Sequence, residues 1–378
     1  MNTKIWLSSP HLTGEEQKYV KEAFDTNWVA PLGPNVNGLE QDICRYTGVK
    51  ACAVLSSGTA AIHLALILLG IEENDEVLCS TFTFSATVNP IRYQKAFPVF
   101  VDSEKDTWNM SPILLEEAIK DRITNYKKPK AIILVHLYGM PSKMNEIMAI
   151  AEKYNIPVIE DAAEAIGATY NDKAMGTFGE IGIFSFNGNK IITTSGGGAL
   201  ISNNPEVCKK AIFLSTQARD NAPHYQHSQI GYNYRMSNIV AGIGRGQLEV
   251  LDDRVAARRK NFNFYKKELN DIKEISFVEE PDGFFANRWL TTILTDSFET
   301  REKIRIALEK ENIESRPLWK PMHLQPIFQE YPIYSDGTSE ELFQRGLCLP
   351  SGSNLTDEEL WRVVNGIKEI MTSSWRVL

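Results

Sequence analysis

The chain has 378 residues, 43% of them hydrophobic and 23% charged, which is ordinary globular usage and excludes extended disorder. Its 40 Lys+Arg against 48 Asp+Glu leave a net charge of -8, which argues against nucleic acid or an anionic membrane as the main partner. The five cysteines (Cys44, Cys52, Cys79, Cys208 and Cys348) form no C-x-x-C pair, so neither a metal site nor a disulfide framework is expected. The N-terminus lacks an apolar signal core, and the longest apolar stretch, residues 60–71, contains His63 and is too short to span a bilayer. A cytoplasmic protein is the expectation.

In chain order, Thr13 and Glu16 have the spacing of a capping box, predicting a helix that ends near Asn27. Residues 28–34 are too rich in Pro and Gly for a regular element, and a second helix is predicted over 36–46. Short apolar runs then alternate with helical stretches. Strands are predicted at 51–55, 76–80, 96–101, 131–137 and 157–160, and helices at 58–70, 85–94, 112–122 and 143–154. Two more strands follow at 181–186 and 198–202. This alternation means an α/β domain with a mostly parallel sheet. Residues 237–269 read as one long helical stretch. After it come strands near 275–278, 288–294 and 313–316, a helix at 299–312, a helix at 339–344, a strand at 347–349 and a terminal helix over 357–371. The expected division is a large domain over 1–245, then connecting helices and a smaller α+β domain over 246–378.

Four places in the large domain could carry chemistry. Leu55-Ser-Ser-Gly-Thr-Ala-Ala61 joins a strand to a helix, so Gly58, Thr59 and Ala60 sit at a helix N-terminus suited to an anion, although such turns are often only structural. Asp161 closes a buried strand at its carboxyl end, where open α/β sheets bind ligands; it also reads as a helix N-cap. Lys190 lies among Asn and Gly residues that let a bulky group approach the backbone, so it could attack a carbonyl. Thr81-Phe-Thr-Phe84-Ser-Ala-Thr offers aromatics that are either core or the cover of a flat ring. Pyridoxal phosphate needs all four: a lysine, an acid beside the pyridine nitrogen, an anion cradle and a flat face.

The segments Ser56-Ser-Gly-Thr-Ala60, Glu160-Asp-Ala-Ala163, Ser185-Phe-Asn-Gly-Asn-Lys190 and Gly231-Tyr-Asn-Tyr-Arg-Met236 resemble, in order, those of the DegT/StrS family of nucleotide-sugar aminotransferases. The resemblance implies the fold-type-I, aspartate aminotransferase-like architecture. It implies that Lys190 carries the cofactor as a Schiff base and that Asp161 pairs with the pyridine nitrogen. Ser57, Gly58, Thr59 and Ser185 would hold the phosphate, and Phe84 would stack on the ring. Asn233 would reach the partner subunit's site, implying a homodimer with shared sites. Glu164 stands near the cofactor where the family usually has Gln or His. No metal is implied.

Two further segments, 27–34 and 314–326, resemble the branch that aminates C4 of a UDP-linked 4-keto-6-deoxy-N-acetylhexosamine, a step towards bacillosamine. Asn27, Trp28, Val29, Ala30 and Ala60 would line the sugar; Arg316 and Lys320 would meet the diphosphate; Trp319, Pro321, Met322 and His323 would complete the substrate site. The amino donor implied is glutamate. A GDP- or dTDP-linked keto sugar is the alternative acceptor. A sugar dehydratase on this scaffold would carry His in place of Lys190, and a regulatory protein without turnover would not need Lys190 and Asp161 intact. Gly242, Gly244 and Gly246 have the wrong spacing for a dinucleotide fingerprint.

Overall fold

The computed structural model describes residues 3–373. Its centre is an eight-stranded sheet in the order Ala51–Leu55, Gly198–Ser202, Ile181–Ser185, Val158–Asp161, Ala131–Val135, Glu76–Ser80, Phe97–Val101, Ile333–Tyr334. Gly198–Ser202 runs against both neighbours, and the other pairings are parallel. Strands such as Ala131–Val135 are buried along their whole length, as a sheet covered on both faces requires. One face packs into a core with the Pro34–Thr47, Pro112–Asn125 and Met144–Tyr154 helices. The other carries Gly58–Leu68, Ser85–Tyr93 and Pro205–Ser215.

The strands predicted at 51–55, 76–80 and 198–202 form over those residues, and the other strand ends move by one to three positions, most at 288–294, which forms as Thr291–Thr295. Glu16 reaches back to the Thr13 N–H at 2.9 Å as expected, but the Thr13 hydroxyl accepts from Glu15, and the helix spans Glu16–Asp25. Asn27 closes that helix with φ 58°, and the Trp28 N–H bonds the Ala23 carbonyl at 2.8 Å, a Schellman-type end. Residues 28–33 are irregular, as predicted.

Two expectations are corrected. The helical stretch 237–269 is two helices, Asn238–Leu248 and Leu251–Glu268. Val250 leaves the helical well at φ -116°, ψ 16°, and Asp252 and Asp253 supply acids to a new N-terminal turn. Residues 313–316 form no strand of their own; Ile313 bridges Ile5, and the pairing strand is Arg316–Pro317. The helix Pro205–Ser215 was not anticipated, although the Asn204 side chain caps it and Pro205 opens it.

The smaller sheet is antiparallel, in the order Ile275–Phe277, Thr291–Thr295, Gly346–Leu349, Arg316–Pro317. The Phe298–Lys310 and Asp357–Ser373 helices pack with it around Ile293, Leu308 and Val364. Two segments cross the division expected at residue 245: Ile5 joins the smaller core, and Ile333–Tyr334 returns to the edge of the large sheet. No helix among the described residues is long and apolar enough to cross a membrane.

Candidate active site

The parallel strands end at Leu55, Ser80, Val135, Asp161 and Ser185 along one edge, and the loops that follow surround a cavity of about 240 Å³. Ser57, Gly58, Thr59, Phe84, Asp161, Glu164, Ser185 and Lys190 all line it, although they are spread over residues 57–190 of the sequence.

Ser57 is the N-cap of Gly58–Leu68: its hydroxyl accepts from the Ala60 N–H at 3.0 Å. The cap occupies that hydroxyl, and the N–H groups of Gly58 and Thr59 have no earlier helical carbonyl to bond. These, with the positive helix end, form an anion cradle. Gly198 makes it possible: a Cβ there would stand 2.4 Å from the Gly58 nitrogen.

Asp161 is 5% exposed. One carboxylate oxygen accepts from the Thr87 hydroxyl at 2.7 Å and the other from the Ala163 N–H at 3.2 Å. Thr87 donates to Asp161, so the Thr83 hydroxyl, 2.7 Å away, donates to Thr87. Burial pushes the Asp161 pKa up, against those hydrogen bonds and the Lys190 charge. Among the described residues no ion pair involves Asp161 at 4.0 Å or less, so this buried carboxylate faces the cavity short of a cation. The strand end beside it is fixed by Glu160, which is fully buried and accepts from the Gly176, Phe178 and Gly179 N–H groups and from His136. The Ser142 N–H donates to His136 Nδ1, so it is Nε2–H that donates to Glu160.

Lys190 sits in a turn after the Ile181–Ser185 strand. Its Nζ lies 3.3 Å from Glu164 Oε1 and 4.0 Å from the centroid of the Trp289 ring. The second Glu164 oxygen accepts from the Tyr138 N–H at 2.7 Å, and burial raises the Glu164 pKa while Lys190 opposes the rise. Tyr138 holds φ 54°, uncommon for a bulky residue, and its ring stacks between Trp289 and Trp319, with centroids 6.4 and 6.1 Å away. Trp319 continues the wall to Phe84, 5.3 Å between centroids.

Sequence reasoning did not assign Thr83, Thr87 or Trp289, which also line the cavity. Thr87 lies inside the motif already quoted, four residues after Thr83, the spacing of one helical turn. Nothing in the sequence around Trp289 distinguishes it from a core aromatic.

The other anticipated residues, Trp319 apart, lie away from the cavity in this chain. Trp28 and Val29 are exposed, and the Ala30 carbonyl accepts from the Asn238 N–H. Asn27 is engaged in the helix end described above, and Ala60 is buried in the first turn of its helix. Of residues 316–323, Trp319 alone lines the cavity. Arg316 is exposed and paired with Glu314 at 2.8 Å, and Lys320 is exposed. Pro321 and Met322 are buried, and the Met322 N–H donates to the Thr81 carbonyl. His323 is tied to Thr81 and Glu340. Asn233 is exposed, on a segment whose backbone is held by Leu214, Ser215 and Ser56.

These groups fit pyridoxal phosphate: an amine, a buried carboxylate short of a cation, and an anion cradle, all on one cavity. Residues 10–368 match the DegT/DnrJ/EryC1/StrS aminotransferase family. EpsN of Bacillus subtilis (strain 168), named for pyridoxal phosphate-dependent aminotransfer, is 55% identical over 368 residues, covering 96% of this chain and 95% of its own. The GDP-perosamine synthase of Escherichia coli O157:H7 is 40% identical over 369 residues, covering 97% of this chain and 98% of its own. Among solved structures, a DegT DnrJ EryC1 StrS aminotransferase from Brucella abortus is similar with a TM-score of 0.89 at 29% identity, with 95% of each chain covered.

Proposed function

The chain belongs to the DegT/DnrJ/EryC1/StrS aminotransferase family and is a pyridoxal phosphate-dependent sugar aminotransferase, and we propose that it moves an amino group from glutamate to C4 of a UDP-linked 4-keto-6-deoxy-N-acetylhexosamine. The observation that carries the site assignment is the meeting of Lys190, Asp161 and the Gly58–Leu68 helix N-terminus on one cavity. When bound, the cofactor would supply an aldehyde and a conjugated ring able to accept electrons. The chain's residues do the rest. Asp161 would hold a proton on the pyridine nitrogen, and Thr87, with Thr83 behind it, fixes the carboxylate's orientation. Lys190 Nζ carries a proton to and from the substrate carbon, as general base and then acid. Glu164 Oε1 and the Trp289 face give the ammonium two positions to rest against.

The identity of the acceptor rests on the resemblance of residues 27–34 and 314–326. A GDP-linked keto sugar is the second reading, favoured by the name of the 40% identical Escherichia coli relative. A panel of UDP-, GDP- and dTDP-linked keto sugars with glutamate, read by product mass and by NMR for the aminated carbon, decides. The UDP-linked N-acetyl sugar is expected to have the highest kcat/KM, with amine at C4. Turnover confined to a GDP or dTDP sugar, or amine at C3, overturns this acceptor. Arg316→Ala is expected to raise KM for the nucleotide sugar and leave the glutamate half-reaction nearly unchanged, because glutamate has no diphosphate.

The working unit proposed is a homodimer with Asn233 serving the partner subunit's site. The exposed apolar side chains Trp28, Val29, Leu32, Tyr225 and Ile230 support it, since such surface is costly to leave in water. Mixing Asn233→Ala with Lys190→Ala protein should give hybrid dimers that regain activity through one intact site each. No recovery after demonstrated subunit exchange would rule out the shared site.

A further inference from the structure

The carbonyl of Asn189, the residue before Lys190, is gripped from two sides. Trp289 Nε1 donates to it at 2.8 Å, and the Ser8 hydroxyl donates at 2.7 Å. One side chain holds both donors. Arg258 donates through one terminal nitrogen to the Trp289 carbonyl and through the other to Ser8 Oγ at 3.0 Å. The hydrogen bonds therefore close a ring through four distant parts of the chain: the N-terminal segment, the Lys190 turn, the approach to the Thr291–Thr295 strand, and the Leu251–Glu268 helix.

Arg258 is 1% exposed, its Nε has no partner, and among the described residues it forms no ion pair. A buried guanidinium without a counter-ion is a poor way to fill space; an apolar side chain of similar volume would pack at lower cost. The turn it steadies needs support. Gly188 precedes Lys190, and Gly196 and Gly197 follow, so the local backbone has little stiffness of its own. Lysine adds a long flexible stem, and the direction in which that stem leaves the backbone is set by the peptide between residues 189 and 190.

We propose that Arg258, Ser8 and the Trp289 indole N–H form a clamp that positions Lys190, acting through the Asn189 carbonyl. Displacement of a reacting group by about 1 Å can cost a hundredfold in rate, so a clamp on this peptide bears directly on proton transfer. The inference rests on the reading that Lys190 carries the cofactor and adds the groups that aim it. Arg258, Ser8 and Trp289 are positioning residues in this sense, with Trp289 also forming part of the cavity wall.

The test uses holoenzyme carrying Ser8→Ala, Ser8→Thr or Trp289→Phe. The last keeps an aromatic face and removes the donor. Two readouts are followed: the visible circular dichroism of the bound cofactor, which reports its tilt, and the kinetics of the glutamate half-reaction. Ser8→Ala and Trp289→Phe are expected to change the visible dichroism and to lower the half-reaction rate constant about tenfold or more, with KM held within about threefold. Ser8→Thr should restore both. Arg258→Met should act like the other two; if it fails to fold, the Ser8 and Trp289 variants decide. Wild-type dichroism in Ser8→Ala, or a slower reaction with unchanged dichroism that threonine does not restore, overturns the clamp. A wild-type protein with no visible band would instead bring down the cofactor assignment beneath it.

Discussion

Lys190→Ala is expected to abolish turnover. The substitution removes the group proposed to bind the aldehyde and the group proposed to move the proton, and general acid–base catalysis alone contributes roughly 10²–10⁴-fold. Among the described residues no second amine stands ready to replace it: Lys190 is the sole lysine or arginine lining the cavity. Glu164, which faces its Nζ at 3.3 Å, would be left as a buried carboxylate with only the Tyr138 N–H. The purified wild type should be yellow or become so with added pyridoxal phosphate, and the variant should lose that absorption along with transamination. Retained colour bound through a protein amine, together with measurable turnover, would place the cofactor lysine elsewhere.

Asp161→Asn separates catalysis from stability. The amide keeps the shape and one acceptor for Thr87 but loses the charge proposed to hold a proton on the pyridine nitrogen. A weakened electron sink should cost at least about 3 kcal/mol of barrier, more than roughly a hundredfold in rate. The cofactor-free protein should respond in the opposite direction. Burial raises the Asp161 pKa above its ordinary value, so the folded state binds its proton more tightly than the unfolded chain does. Such a group lowers stability as pH rises from the unfolded-state pKa through the folded one, and the deficit persists above both. Cofactor-free Asp161→Asn should therefore melt higher than the cofactor-free wild type at pH 7.5, and the gap should close near the ordinary aspartate pKa of about 4. Thermal melts across that range test it. Near-wild-type turnover, or a variant that melts lower at neutral pH, would contradict this role.

Glu164 illustrates how an unusual residue is accommodated. Two carboxylates share the cavity, and burial pushes both pKa values up. Lys190 offsets the charge of Glu164 directly, while Asp161 lines the cavity with hydrogen bonds from Thr87 and Ala163.

The alternation of strands and helices, and the place of each motif at a strand end, could be read from the sequence because they rest on local periodicity. Apolar runs of five residues, such as 131–135, have few other structures open to them between helical stretches. Once the strands are parallel, their carboxyl ends share one edge, so Ser57, Phe84, Asp161 and Lys190 follow from topology alone. Tertiary structure decided what periodicity cannot encode. Two residues, Ile333–Tyr334, become the eighth strand only because the edge of Phe97–Val101 is there to pair with. Trp289 and Tyr138 read as ordinary core aromatics until the fold stacks them against Lys190 and Trp319. The Pro-rich run 317–326 has no periodicity to show which side faces inward. Met322 and His323 turn to Thr81, and Trp319 turns to the cavity. Arg258 and Ser8 lie 250 positions apart, and no local pattern announces that they meet behind Asn189; a hydrogen bond across that separation exists only once the fold has brought the two segments together.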